Sequence, residues 1–143
     1  MSFGGPYLLA PLHSMLGIRP GMKVSIINAP AGFIERLNPM PEGAELIPSA
    51  KTGLDVTIFF TQKKVELVEK LPALARGMSV MGGIWVVFPV PETPAAPNED
   101  FVRLAALEVG LIDNKKLPLD PAWTALRLVW RPRPRVEKPE ARA

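Results

Sequence analysis

Apolar residues along this chain fall into short runs separated by proline and glycine. Leu8, Leu9, Leu12, Met15 and Leu16 recur at helical spacing and predict a short amphipathic helix ending near Gly17. His13 and Ser14 fall on its polar side. Pro20-Gly21 reads as a turn. Val24–Ile27 is rich in β-branched residues and predicts a buried central strand. It stops at Asn28-Ala29-Pro30-Ala31-Gly32-Phe33. Phe33, Ile34 and Leu37 then begin a short helix that Pro39 ends, and Glu45–Ile47 suggests a brief second strand.

Leu54–Phe60 is a longer strand. Thr61 is the expected N-cap of a helix through Val65, Val68, Leu71, Leu74 and Ala75. Within it, Glu66 and Lys70 stand in the favourable i,i+4 order. Pro72 is expected to kink or restart the helix, and Gly77 to close it. Gly82-Gly83 reads as a turn into the strand Ile84–Phe88. A helix over Asp100–Val109 follows, its apolar stripe Phe101, Leu104, Ala105 and Leu107 or Val109, closed by Gly110. After Lys115–Leu119, Asp120-Pro121-Ala122 reads as a turn. Trp123–Trp130 alternates and predicts an antiparallel strand near an edge.

Strand, helix, strand, helix, strand is the order of a parallel sheet with crossover helices. The fold class expected is α/β, an open, mostly parallel Rossmann-like sheet. Helices should cover both faces, with a C-terminal antiparallel strand. Residues 1–130 form the expected single domain, with the 1–17 helix packed on or beside it. Residues 131–143 are expected to be a Pro/Arg-rich, flexible tail.

Composition narrows the chemistry. The net charge is +3, with much of the excess in Arg131, Arg133, Arg135 and Lys138. The remaining body is nearly balanced and carries no groove-reading motif, so nucleic acid is not expected as a partner. The absence of cysteine excludes disulfides, thiolate metal sites and cysteine nucleophiles. His13 is the sole histidine, so no zinc site is expected. No apolar run reaches the roughly 18 to 20 residues that span a bilayer. The N-terminal stretch is broken by Pro6 and Pro11 and does not read as a signal peptide. A cytoplasmic location is the expectation.

Two resemblances follow from these segments. The Pro-Gly turn before the first strand, the strand Leu54–Phe60 with its helix, the strand Ile84–Phe88 and the closing hairpin resemble class I methyltransferase topology. A sharper one rests on Leu16–Gly21, Asn28–Phe33, Gly82–Val86, Gly110–Lys115 and Asp120–Arg127. In that order they resemble the uncharacterised bacterial domain-of-unknown-function family 3052. That resemblance implies a lysine after the strand-ending proline, where this chain has Val90. It implies no reaction.

In open α/β sheets, ligands bind beyond the C-terminal ends of the parallel strands. That rule nominates Asn28, Gly32, Phe33, Lys63, Asp120 and Trp123 as ligand-binding residues. Asp120 and Trp123 reach this rim if Lys116–Leu119 runs parallel to the other strands. Lys63-Lys64 stands where a helix N-terminus favours an anion, and Glu92 and Asp120 are a conceivable carboxylate pair. The Asn28–Phe33 loop lacks both nucleotide-binding glycine patterns. Pro30 removes an N–H donor, and no acidic residue ends the second strand, since Glu45 precedes it. No GxSxG elbow is present to serve a hydrolytic triad.

The function expected is a non-catalytic ligand-binding or protein-interaction module without a cofactor. It would use the Asn28–Phe33 rim, with the Pro89–Pro97 loop as cover. One alternative is a methyltransferase-like enzyme, or a nucleotide or S-adenosylmethionine binder with an atypical loop. Another is a homo-oligomeric structural protein, such as a homodimer. Ligand and partner stay unassigned, with no membrane involved.

Overall fold

The structure is a computed structural model that describes residues 10–48 and 52–132. In chain order its elements are α1 (Leu12–Met15), β1 (Lys23–Ile27), α2 (Phe33–Arg36), β2 (Glu45–Leu46) and β3 (Leu54–Phe60). They continue with α3 (Lys64–Gly77), β4 (Met78–Pro89), α4 (Glu99–Glu108), β5 (Leu111–Pro118) and β6 (Trp123–Trp130). Leu8 and Leu9 of the expected first helix, and Arg133, Arg135 and Lys138 of the tail, lie outside the described residues.

The strands form one sheet in the order β2-β1-β3-β4-β6-β5. Pairing is parallel from β2 through β1 and β3 to β4, and antiparallel for β4 with β6 and β6 with β5. β3 explains itself from sequence: Val56, Ile58 and Phe60 face one side while Phe59 faces the other, and both sides are covered. On the first face, α1 and α2 bring Leu12, Leu16, Phe33 and Leu37 onto Val56, Ile58, Trp85 and Ala125. On the second, α3 and α4 bring Leu67, Leu71, Val102 and Ala106 onto Phe59, Val86 and Leu126. Trp85 lies in the first core, and its indole N–H donates to Leu16 O at 2.9 Å, tying α1 to the sheet centre. No helix among the described residues is long and apolar enough to cross a membrane.

Several local expectations are corrected. α3 is capped by Lys63, not Thr61, because the Thr61 side chain turns to other partners. Pro72 lies inside a continuous α3, and Gly77 is its last helical residue, leading directly into β4. Gly82 and Gly83 are not a turn; both lie within β4, beside a shift in its register with β3. A Cβ at Gly82 would stand 2.7 Å from Leu54 O, and one at Gly83 2.6 Å from Arg127 Nε. Close approach, rather than chain reversal, is what these glycines serve.

The buried stripe of α4 is Val102 and Ala106, whereas Leu104 and Leu107 face solvent. The helix begins one residue earlier than expected because the Asn98 side chain accepts from Phe101 N at 2.9 Å, a side-chain N-cap. β6 is not at the edge. It lies between β4 and β5, and the charged β5 takes the edge. Lys115 and Lys116 there suit a strand that must not pair further.

Candidate functional site

The parallel strands β1, β3 and β4 end on one rim. β5 is antiparallel to β6 and β6 to β4, so β5 runs in the same sense and ends there too. That brings the β5–β6 turn beside the loop after β1. Asp120 shapes the turn: its Oδ1 accepts from Ala122 N at 2.8 Å and Trp123 N at 3.0 Å, the expected role of an Asp before proline.

Asn28 follows β1 directly and takes the left-handed region, at φ 61°. Its amide nitrogen donates to Phe60 O at 3.3 Å and to Glu66 Oε2 at 2.9 Å. The Thr61 hydroxyl donates to Glu66 Oε1 at 2.8 Å. Both carboxylate oxygens are thus held, and Lys70 Nζ stands 4.0 Å from Oε2. Around this carboxylate lies a hollow of about 650 Å³, walled also by Pro30, Phe60, Gln62, Lys63 and Trp123.

A second hollow, of about 360 Å³, shares Pro30, Phe60 and Trp123 with the first. Its floor holds an aromatic row. Phe33 meets Phe60 edge to face at 4.7 Å, and Phe60 meets Trp123 at 5.2 Å. Arg36 Nη1 donates to Asp120 Oδ2 at 3.2 Å, and its guanidinium carbon lies 5.9 Å from the Phe33 ring centre. A third hollow, of about 350 Å³, lies under Pro89, Val90 and Glu92 and reaches Glu99, Lys116 and Thr124.

Asn28, Lys63 and Trp123 share the first hollow; Phe33, Asp120 and Trp123 share the second. Gly32 lines neither. It caps α2 at φ 87°, and a Cβ there would meet nothing within 4 Å. Lys63 and Lys64 do not act together, for Lys64 Nζ lies 5.4 Å from the Phe101 ring centre on α4. Its backbone N–H is taken by Ala95 O at 2.7 Å. Glu92 and Asp120 both line the third hollow, but the Asp120 carboxylate is held by Arg36 and two backbone N–H groups. The Pro89–Pro97 loop therefore borders the third hollow and does not cover the first. Glu66 lines the first hollow and Arg36 the second, and neither is among the residues nominated from sequence. Spacing marks Glu66 only as the helix partner of Lys70, although the first turn of a helix following a rim strand faces that rim.

A nucleotide cofactor needs bare backbone where the chain meets phosphate or adenosine, and an acid for the ribose. The loop after β1 does not fit that hold. The Asn28 amide is committed, Pro30 has no N–H, and no acidic residue directly follows β2, where Ile47 and Pro48 stand. Among the described residues no three His, Asp or Glu side chains gather as metal ligands.

Sheet order and rim together define a Rossmann-like domain of the methyltransferase type. Solved structures show the same fold. The mitomycin 7-O-methyltransferase MmcR superposes with a TM-score of 0.62 at 13% identity, over 78% of this chain and 49% of that one. A SAM dependent methyltransferase from Aquifex aeolicus gives 0.56 at 12% identity, over 82% and 86%. LepI in complex with SAM gives 0.53 at 13% identity, over 85% and 47%. This chain therefore spans about half the length of MmcR and of LepI, and at such identities the likeness concerns the fold alone. No family model and no curated protein matches the chain.

Proposed function

We propose that this chain is a small-molecule-binding protein on a methyltransferase-type scaffold. Its ligand carries a positive charge beside a flat or apolar group and lies in the hollow between β1, β3 and α3. One observation carries this reading. The Glu66 carboxylate is fixed by Asn28 and Thr61 beneath a wall formed by Phe60 and Trp123. An anion held by neutral donors, next to aromatic rings, suits a cation. Lys70 is half exposed and tied only by a long contact, so it can swing into water at little cost.

S-adenosylmethionine, a sulfonium, is the probe that the fold neighbours nominate, and S-adenosylhomocysteine is its counterpart without that charge. Glu66, rather than a glycine loop, would receive the charge. Calorimetric titration is expected to show saturable binding of S-adenosylmethionine, at least tenfold tighter than S-adenosylhomocysteine. A Glu66→Gln variant should lose that preference. At a ligand concentration 100-fold above Kd, the melting transition should gain about 2.7 kcal/mol. Absence of saturable binding, or equal affinity for the two compounds, overturns the reading.

A second reading, a methyltransferase-like enzyme, is favoured by the fold comparisons. Release of S-adenosylhomocysteine on adding an acceptor would support it over the binding protein. Kinship with domain-of-unknown-function family 3052 is part of this proposal and rests on the ordered segments from Leu16 to Arg127.

A further inference from the structure

The second hollow holds a charge arrangement that the cation site does not use. Its walls are apolar, with Phe33, Phe60, Leu119 and Trp123 prominent, apart from Arg36 and Asp120. Asp120 has its partners: two backbone N–H groups on Oδ1 and Arg36 on Oδ2. Arg36 does not. A guanidinium has five N–H donors in a fixed fork, and only the Nη1 bond to Asp120 is made among the described residues. Its Nε is shielded from solvent and has no partner among them. Such a donor is costly to leave unmatched. Asp120 holds one arm of the fork, and the Phe33 ring centre lies 5.9 Å from the guanidinium carbon.

The geometry points to a binding site for a carboxylate carried on a flat apolar group. Rotation of the guanidinium about its bond to Asp120 would present its Nε and Nη2 edge to both carboxylate oxygens, the pairing that Arg makes best. Phe60 and Trp123 then flank the attached ring. A cavity of about 360 Å³ suits a compound of one ring and a short acid arm. The apolar wall disfavours a strongly hydrated phosphate, which would lose its water there. This site shares Pro30, Phe60 and Trp123 with the Glu66 hollow, but its charged group, Arg36, lines only the second, so it stands if the cation reading fails.

The test uses the full chain with three probes: benzoate, benzyl alcohol and acetate. Binding is followed through the Trp123 indole N–H signal in nuclear magnetic resonance. Benzoate is expected to saturate, at an affinity at least tenfold above either the neutral ring or the bare acid. Arg36→Gln should remove that preference while S-adenosylmethionine titration at Glu66 is unchanged. Arg36→Lys keeps the charge without the fork and should bind benzoate at least threefold more weakly than the parent. That comparison serves if the Gln variant fails to fold. No saturable shift, equal affinity for benzoate and benzyl alcohol, or parental benzoate affinity in a folded Arg36 variant would overturn the site.

Discussion

Asn28 combines two local demands at one residue. It takes a left-handed backbone at φ 61°, and its amide joins β3 to α3 through Phe60 O and Glu66. Asparagine is among the few L-residues that enter that region without large strain. The two demands can be separated. Asn28→Gly removes both the amide and the Cβ, leaving a residue at ease in the left-handed region; Asn28→Ala removes the amide but keeps a Cβ there without the local polar side chain that lets Asn tolerate it. The alanine variant should therefore be less stable than the glycine variant by about 1 kcal/mol, the lower end of the left-handed penalty. Urea unfolding of both variants measures this, and equal midpoints would refute the strain argument. The place of Asn28 on the rim is legible in the sequence because it follows a strand. Its partner is not. Glu66 lies 38 residues away in sequence, and only the parallel pairing of β1 with β3 brings the two together.

At the scale of elements, periodicity locates the helices and strands of the sheet core, but which face is buried depends on neighbours. On α4, Leu104 and Val102 are both apolar; the sheet takes Val102 and leaves Leu104 in water. The Gly82-Gly83 pair misleads because a doubled glycine marks a turn or a close approach equally well. Here the Leu54 carbonyl and the Arg127 side chain occupy the space. Charged contacts seat α4 on β5: Arg103 Nε meets Asp113 at 3.0 Å, and Glu99 pairs with Lys116. The Glu99 carboxyl is held below the ordinary value of 4.5, chiefly by its hydrogen bond from Lys116, with burial opposing. A carboxylate so depressed stabilises the fold above its unfolded value and loses that contribution as pH falls through the folded one. Between pH 7 and pH 3 the parent should therefore lose more thermal stability than Glu99→Gln, with the difference developing below about 4.5. Parallel melting curves across that range would remove Glu99 from the acid response.

At the scale of the molecule, an alternating strand such as β6 suggests one exposed face and hence an edge, and that reading fails for a physical reason. Arg127 alternates with Leu126 and Leu128 and pairs across the sheet with Trp85, but its guanidinium lies over Gly83, where no side chain competes for the space. A charged residue can then occupy an interior strand, partly buried. Burial pulls the Arg127 guanidinium below its ordinary value. With β6 inside the sheet, its first residue arrives one strand in from the end of the rim. Trp123 consequently walls both hollows at once, packed edge to face on Phe60 at 5.2 Å. The two proposed sites are therefore joined through one side chain. Trp123→Leu keeps an apolar residue at the start of β6 but removes the ring that both ligands would touch. Titration of this variant should show S-adenosylmethionine and benzoate each weakened by at least fivefold. Trp130 lies at the opposite end of the same strand, packed on the second core, and Trp130→Phe should leave both affinities at the parental level. Equal losses in the two variants would assign the effect to general loosening of β6. A loss confined to one ligand in Trp123→Leu would overturn the shared wall, whereas paired loss only at Trp123 shows that one side chain serves both hollows.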